Sequence, residues 1–117
     1  MFMTVFEVGD VVTVEFPYSD LQGRKKRPGL VLAVDENDAL LARITTRQPR
    51  DFADVLLANW SDVGLPKPST IRLTKLVTVD KRLILRRVGR LGAADRSAVL
   101  QGMSAWLKVL GSEFAVS

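Results

Sequence analysis

The chain has 117 residues, a net charge of +4, 47% hydrophobic and 26% charged residues, and neither cysteine nor histidine. That is the size and balance of one soluble globular domain spanning 1–117. It excludes a disulfide framework, thiolate zinc sites and every imidazole mechanism, including serine–histidine triads. No apolar run approaches the roughly 20 residues that a membrane span needs, so no membrane contact is expected. MFMTVFEVGD lacks a basic n-region and is not read as a secretory signal; the cytoplasm is the expected location.

In chain order, a first strand is predicted over 10–16, with Val12, Val14 and Phe16 on one face and Val11, Thr13 and Glu15 on the other. A basic loop follows over 17–27, its QGRKKR concentrating four cations. A second strand is expected over 28–35. Asp35-Glu36-Asn37-Asp38 reads as the turn of a hairpin into a third strand over 39–46. In that strand Leu40, Ala42 and Ile44 oppose Leu41, Arg43 and Thr45. A short strand near 54–58, a Pro/Gly-rich loop over 61–68 and strands near 69–79 and 82–90 come next. Then the period changes: Val99, Met103, Trp106, Leu107 and Leu110 recur at helical spacing over 93–110. Gly92 is placed as N-cap, and Asp95 suits the first turn. The pattern is mainly β, a small antiparallel barrel or curled sheet with a C-terminal α-helix.

Basic charge without histidine or a carboxylate cluster points to a polyanionic partner, with no metal expected. Arg27 is the first candidate. Pro28 holds Arg27 in an extended conformation, and a fixed guanidinium can neutralise a phosphorane with two hydrogen bonds. Taken alone, an Arg-Pro pair is more often a solvated loop cation, as Arg24, Lys25 and Lys26 can also be. Thr45 ends a strand where its hydroxyl can bond a phosphate oxygen, although a β-branched strand residue needs no such role. Thr46 is adjacent and could exchange roles with it. Arg72 shares a face with Thr74. Lys67 can contact a polyanion or water. Glu15 and Asp20 are the carboxylates nearest the loop in sequence. Lys81, Arg82, Arg86, Arg87 and Arg90 form a second basic group, with Arg86 and Arg90 expected on one face and Arg87 on the other; it serves as a solvated edge or a phosphate track.

The ordered segments GDVV…FPYSDL, KKRPGLVLA, LLARITT, W…GLPKPS, IRLTKLVTVDK and VGRL resemble the MazF/PemK-type toxins of bacterial toxin–antitoxin systems, the PemK-like branch in particular. The resemblance implies an SH3-like antiparallel barrel, a homodimer and neutralisation by a cognate antitoxin. It also implies a sequence-selective, metal-independent endoribonuclease. In that reaction a ribose 2′-hydroxyl of single-stranded RNA attacks its own phosphate, leaving a 2′,3′-cyclic phosphate and a 5′-hydroxyl. Arg27 is then catalytic and Thr45 assists, while Arg24, Lys25, Lys26, Thr46, Lys67 and Arg72 hold RNA. Some relatives carry an aspartate two residues after the arginine that corresponds to Arg72; here that position is Thr74. Trp60 falls in the family's tryptophan segment and is read as packing before base stacking. Two other classes stay open: a non-catalytic nucleic-acid- or protein-binding module, and a CcdB-type gyrase poison.

Overall fold

The computed structural model describes residues 5–16 and 25–117. Six strands are present: β1 (Asp10–Phe16), β2 (Lys25–Val34), β3 (Asp38–Thr45), β4 (Asp54–Leu56), β5 (Thr70–Asp80) and β6 (Ile84–Arg90). One helical turn, α1 (Trp60–Val63), follows β4, and a long helix, α2 (Ala93–Val116), closes the chain. All registered pairs are antiparallel, and the order across the sheet is β4-β5-β3-β2-β1-β6.

Alternation builds a core on each side of this sheet. Val11, Leu30, Ala42, Ile44, Ile71 and Leu73 pack in one cluster; Val12, Val14, Phe16, Val31, Leu41 and Val79 pack in the other. Each fully buried leucine or isoleucine contributes about 1.5–3 kcal/mol relative to exposure. The first face is covered by α2 through Val99, Met103 and Trp106. The second lies inside the curl of the sheet. Four interstrand spacings separate β5 from β6, about 19 Å on a flat sheet. A single 3₁₀ turn, Lys81–Leu83, joins them, and even fully extended it reaches only about 14 Å. The sheet therefore bends until its edges approach. The edges β4 and β6 do not hydrogen-bond to each other, so the expected barrel is a curled, unclosed sheet. Helix α1 fills the gap, lying against β6 where the expectation was a loop.

Two boundaries differ most from the sequence expectation. β2 begins at Lys25, so Lys25, Lys26 and Arg27 lie in a strand and not in the basic loop. Pro28 is tolerated within that strand because only β1 flanks it there; pairing to β3 starts at Gly29. Helix α2 runs on to Val116. Its apolar stripe is only partly used: Leu107 is turned away at 64% exposure, and every residue from Leu110 onward is exposed as the helix overhangs the sheet. Asp95 does more than complement the helix dipole. It is buried and accepts hydrogen bonds from the Ala58 and Asn59 amides (2.9 and 3.1 Å), tying the start of α2 to the approach of α1. No helix among the described residues is long and apolar enough to cross a membrane.

Contact between α1 and β6 depends on Gly89, where an added Cβ would lie 1.9 Å from the Val63 carbonyl oxygen. Gly89→Ala is expected to cost about 2 kcal/mol by overpacking. Gly111→Ala, with nothing within 4 Å, is expected to be stabilising by up to about 1 kcal/mol. Urea unfolding of both variants checks the pair; equal stabilities would show that α1 does not brace the sheet.

Candidate functional site

The β2–β3 ladder runs Leu30↔Ala42, then Gly29↔Arg43, and stops. Continued by two more pairs it would set Pro28 against Ile44 and Arg27 against Thr45. Pro28 has no N–H to give, and β2 and β3 separate there. The four residues at the split, Arg27, Pro28, Ile44 and Thr45, line two clefts at once.

Strand parity assigns the clefts to opposite faces. The first, about 440 Å³, is lined by Lys25, Arg27, Arg43, Arg47, Arg50, Arg72 and Lys75 together with Phe16 and Thr45. Arg43 lies over the Phe16 ring at 5.5 Å. Lys75 reaches this wall because β5 bulges between Arg72 and Leu76, opposite Arg43 and Ala42. The second cleft, about 370 Å³, is lined by Thr13, Lys26, Thr46, Leu65, Pro66, Ser69, Arg86 and Val88 besides the four shared residues. One face is thus strongly cationic; the other mixes hydroxyls, apolar side chains and fewer charges.

Hydrogen bonds set several of these groups. The Thr45 hydroxyl oxygen accepts from the Arg47 amide at 3.2 Å, which leaves the hydroxyl hydrogen to be donated elsewhere. Arg72 donates through Nε to Asp54 Oδ1 at 3.2 Å, and the two residues are register partners across β5 and β4. Asp54 Oδ2 accepts from the Arg50 and Asp51 amides at 2.9 and 3.2 Å. Burial pushes the Asp54 carboxyl up, but its bonds from the Arg50 amide, the Arg72 guanidinium and the Asp51 amide prevail and hold it below its ordinary 3.8. Thr74 donates to Asp51 Oδ2 at 3.2 Å.

The structure brings Arg27, Thr45, Lys25 and Arg72 to the first cleft and Lys26 and Thr46 to the second. Lys67 is exposed and lines neither, although Pro66 and Ser69 beside it do. Arg24 and Asp20 lie outside the described residues. Glu15 pairs with Lys26 in the register but is not part of either lining. Trp60 is half-buried against the core cluster under α2, the packing role expected of it. The sequence reading did not single out Arg43, Arg47, Arg50, Lys75 or Asp54 for the site. The RQPR run directly after Ile44-Thr45-Thr46 was a usable signal for Arg47 and Arg50; Lys75 depends on a bulge and Asp54 on a cross-strand partner.

The second basic group is mostly committed internally. Arg82 pairs with Asp80 at 2.8 Å, and Arg87 Nε donates to the buried Asp10 at 3.1 Å. Arg90 bonds Glu7 and lies 3.6 Å from Asp10. Arg87 and Arg90 therefore converge on one acid, against the expected alternation, because β6 skips register at Val88 and again at Leu85. Arg86 alone of the five lines a described cleft. Among the described residues no group of three or more acidic side chains is placed to hold a metal ion.

Fold and site together define a small curled-sheet domain whose open strand edge presents a cationic cleft. Residues 7–107 match the family described as "PemK-like, MazF-like toxin of type II toxin-antitoxin system", and the chain belongs to that family. Solved structures share the fold at low identity. Mycobacterium tuberculosis toxin MazF-mt6 aligns with a TM-score of 0.70 and 19% identity, covering 85% of this chain and 96% of that one. An endoribonuclease in complex with its cognate antitoxin, from a mycobacterial species, aligns at 0.68 and 15%, covering 86% and 92%. The MazE–MazF structure from Deinococcus radiodurans aligns at 0.69 and 19%, covering 90% and 97%. No curated protein sequence matches the chain significantly.

Because the folded Asp54 carboxyl lies below its ordinary 3.8, its bonds stabilise the fold fully above that pH and are lost as pH falls through the folded value. Asp54→Asn is expected to flatten the acid side of the stability curve below about pH 4. Urea midpoints measured from pH 6 down to pH 2.5 check this; parallel curves for the two proteins would show that the carboxylate contributes nothing.

Proposed function

We propose that this chain is the toxin of a type II toxin–antitoxin pair and acts as a metal-independent endoribonuclease on single-stranded RNA. Family membership supports the toxin assignment. The observation that supports the chemistry is the split ladder, beyond whose last pair Arg27 and Thr45 both line the two clefts. A scissile phosphate held at that gap has one strand direction along the cationic cleft. The other side offers hydroxyls and apolar walls of the kind that receive an unstacked base.

In this reading the ribose 2′-oxygen attacks the adjacent phosphorus, and the P–O5′ bond breaks in line with it. Arg27 neutralises the charge that grows on the non-bridging oxygens. Thr45, whose oxygen already accepts from Arg47, donates its hydrogen to a phosphate oxygen. The 2′-hydroxyl proton passes to solvent water, and the departing 5′-oxygen takes a proton from solvent. Asp54 is a poor acceptor for that proton, because three donors occupy it and hold its pKa down. In-line positioning and charge stabilisation supply most of the rate. Lys25, Lys26, Thr46, Arg72, Lys67 and Arg24 hold the RNA. A homodimer and an antitoxin that occupies the same basic surface complete the proposal.

Purified protein incubated with a long unstructured RNA in EDTA is expected to give discrete cuts bearing 2′,3′-cyclic phosphates. Arg27→Ala is expected to slow cleavage at least about 100-fold, as loss of a charge-stabilising donor does, and Thr45→Val by a smaller factor. Intact RNA despite binding would move the assignment to a non-catalytic module. Intact RNA together with blocked supercoiling would move it to a CcdB-type gyrase poison.

A further inference from the structure

Seven cations converge on the larger cleft, and like charges so crowded repel one another unless something beneath them fixes their positions. Asp54 is placed to do that. Its side chain is 1% exposed, it does not line the cleft, and it bonds outward to the wall at three points. Oδ1 takes Arg72 Nε–H; Oδ2 takes the amides of Arg50 and Asp51. One carboxylate thus joins a side chain on β5 to the backbone of the segment that carries Arg47 and Arg50. A second clip, Thr74 Oγ1 to Asp51 Oδ2, ties the same segment to β5. Holding Nε leaves the four Nη hydrogens of Arg72 unclaimed by Asp54, on a side chain that is 16% exposed.

We propose that Asp54 is a positioning residue for RNA: it sets Arg72 and the Arg50–Asp51 backbone in their phosphate-binding arrangement before the substrate arrives. This rests on the RNA reading above. Two effects of Asp54 on RNA binding have opposite signs. As a bare charge, an aspartate under a cationic cleft repels a polyanion, so its neutralisation strengthens binding. As an organiser, its neutralisation releases the wall and weakens binding, because ordering that wall then falls to the complex.

The test is affinity for a short single-stranded RNA across a salt series, with Arg27→Ala present throughout so that the RNA stays intact. Asp54→Asn is expected to weaken binding about tenfold or more, the scale of one lost charge-assisted hydrogen bond, although the protein becomes one unit more positive. Equal or tighter binding overturns the proposal. Should Asp54→Asn not fold, Arg72→Lys replaces it: lysine keeps the charge and lacks the Nε–H that Asp54 holds. Unchanged affinity in that variant is likewise fatal. A second measurement does not depend on RNA. The Arg72 Nε–H is expected to exchange slowly in ¹⁵N NMR and to lose that protection in Asp54→Asn. Fast exchange in the unsubstituted protein overturns the positioning role. Slow exchange without any RNA binding supports the positioning of Arg72 and rejects the RNA reading instead.

Discussion

The site exists because a hydrogen-bonded ladder ends early. At Gly29 and Leu30, β2 is paired on both sides, with β1 and with β3; from Val31 to Val34 its registered partner is β3. At Pro28 the donor is missing, and Arg27 before it is held extended. β1 still pairs with β2 down to Lys25, so the strand does not fray; it parts from β3 alone. A strand edge that opens while its other side stays zipped gives a stiff wall carrying Lys25, Lys26 and Arg27 at successive positions. Parity then sends Lys25 and Arg27 to one face and Lys26 to the other. The two clefts are two sides of one opening.

The distribution of acids decides which cations face that opening. Asp80 holds Arg82, and Asp10 with Glu7 holds Arg87 and Arg90. Those pairs tie β6 and the β5–β6 turn to the body of the sheet. Asp10 is fully buried, so removing Arg87, the arginine hydrogen-bonded to it, would leave a buried charge with only Arg90 at 3.6 Å as counter-ion. At the cleft, by contrast, the acid that reaches the cations lies behind them. Asp54 contacts Arg72 from below and Arg50 through its backbone, which steadies the wall without placing negative charge on its surface. The same residue type serves as a structural counter-ion at one end of the sheet and as an undersurface brace at the other.

Alternation in β1 and β3 was readable directly, since Val12, Val14 and Phe16, or Ala42 and Ile44 against Leu41, sort to faces by position alone. The ordered family segments supplied Arg27 and Thr45. The sequence did not reveal where β2 begins. QGRKKR has the composition of a loop, and only pairing with β1 makes Lys25–Arg27 a strand; tertiary partners override local preference there. The faces of Arg87 and Arg90 were misassigned for a related reason. A register skip resets parity, and nothing in the RRVGR string marks where one falls. The helix stripe was over-read because periodicity reports which face is apolar and not how far the sheet beneath it extends.

The partner of Arg72 shows the same limit at the site. A reader following the chain looks two residues along and finds Thr74, a hydroxyl where an acid is sought. The sheet supplies the acid laterally, from the register partner Asp54 eighteen positions away. Thr74 is bonded to Asp51 instead, so acids at positions 51 and 54 between them fasten the far end of the segment after β3. The β5 bulge is compatible with this because its extra residues fall beyond Arg72, leaving the Arg72–Asp54 pair in regular register. Charge at this site is therefore a property of adjacent strands, and its arrangement follows from pairing rather than from any one motif.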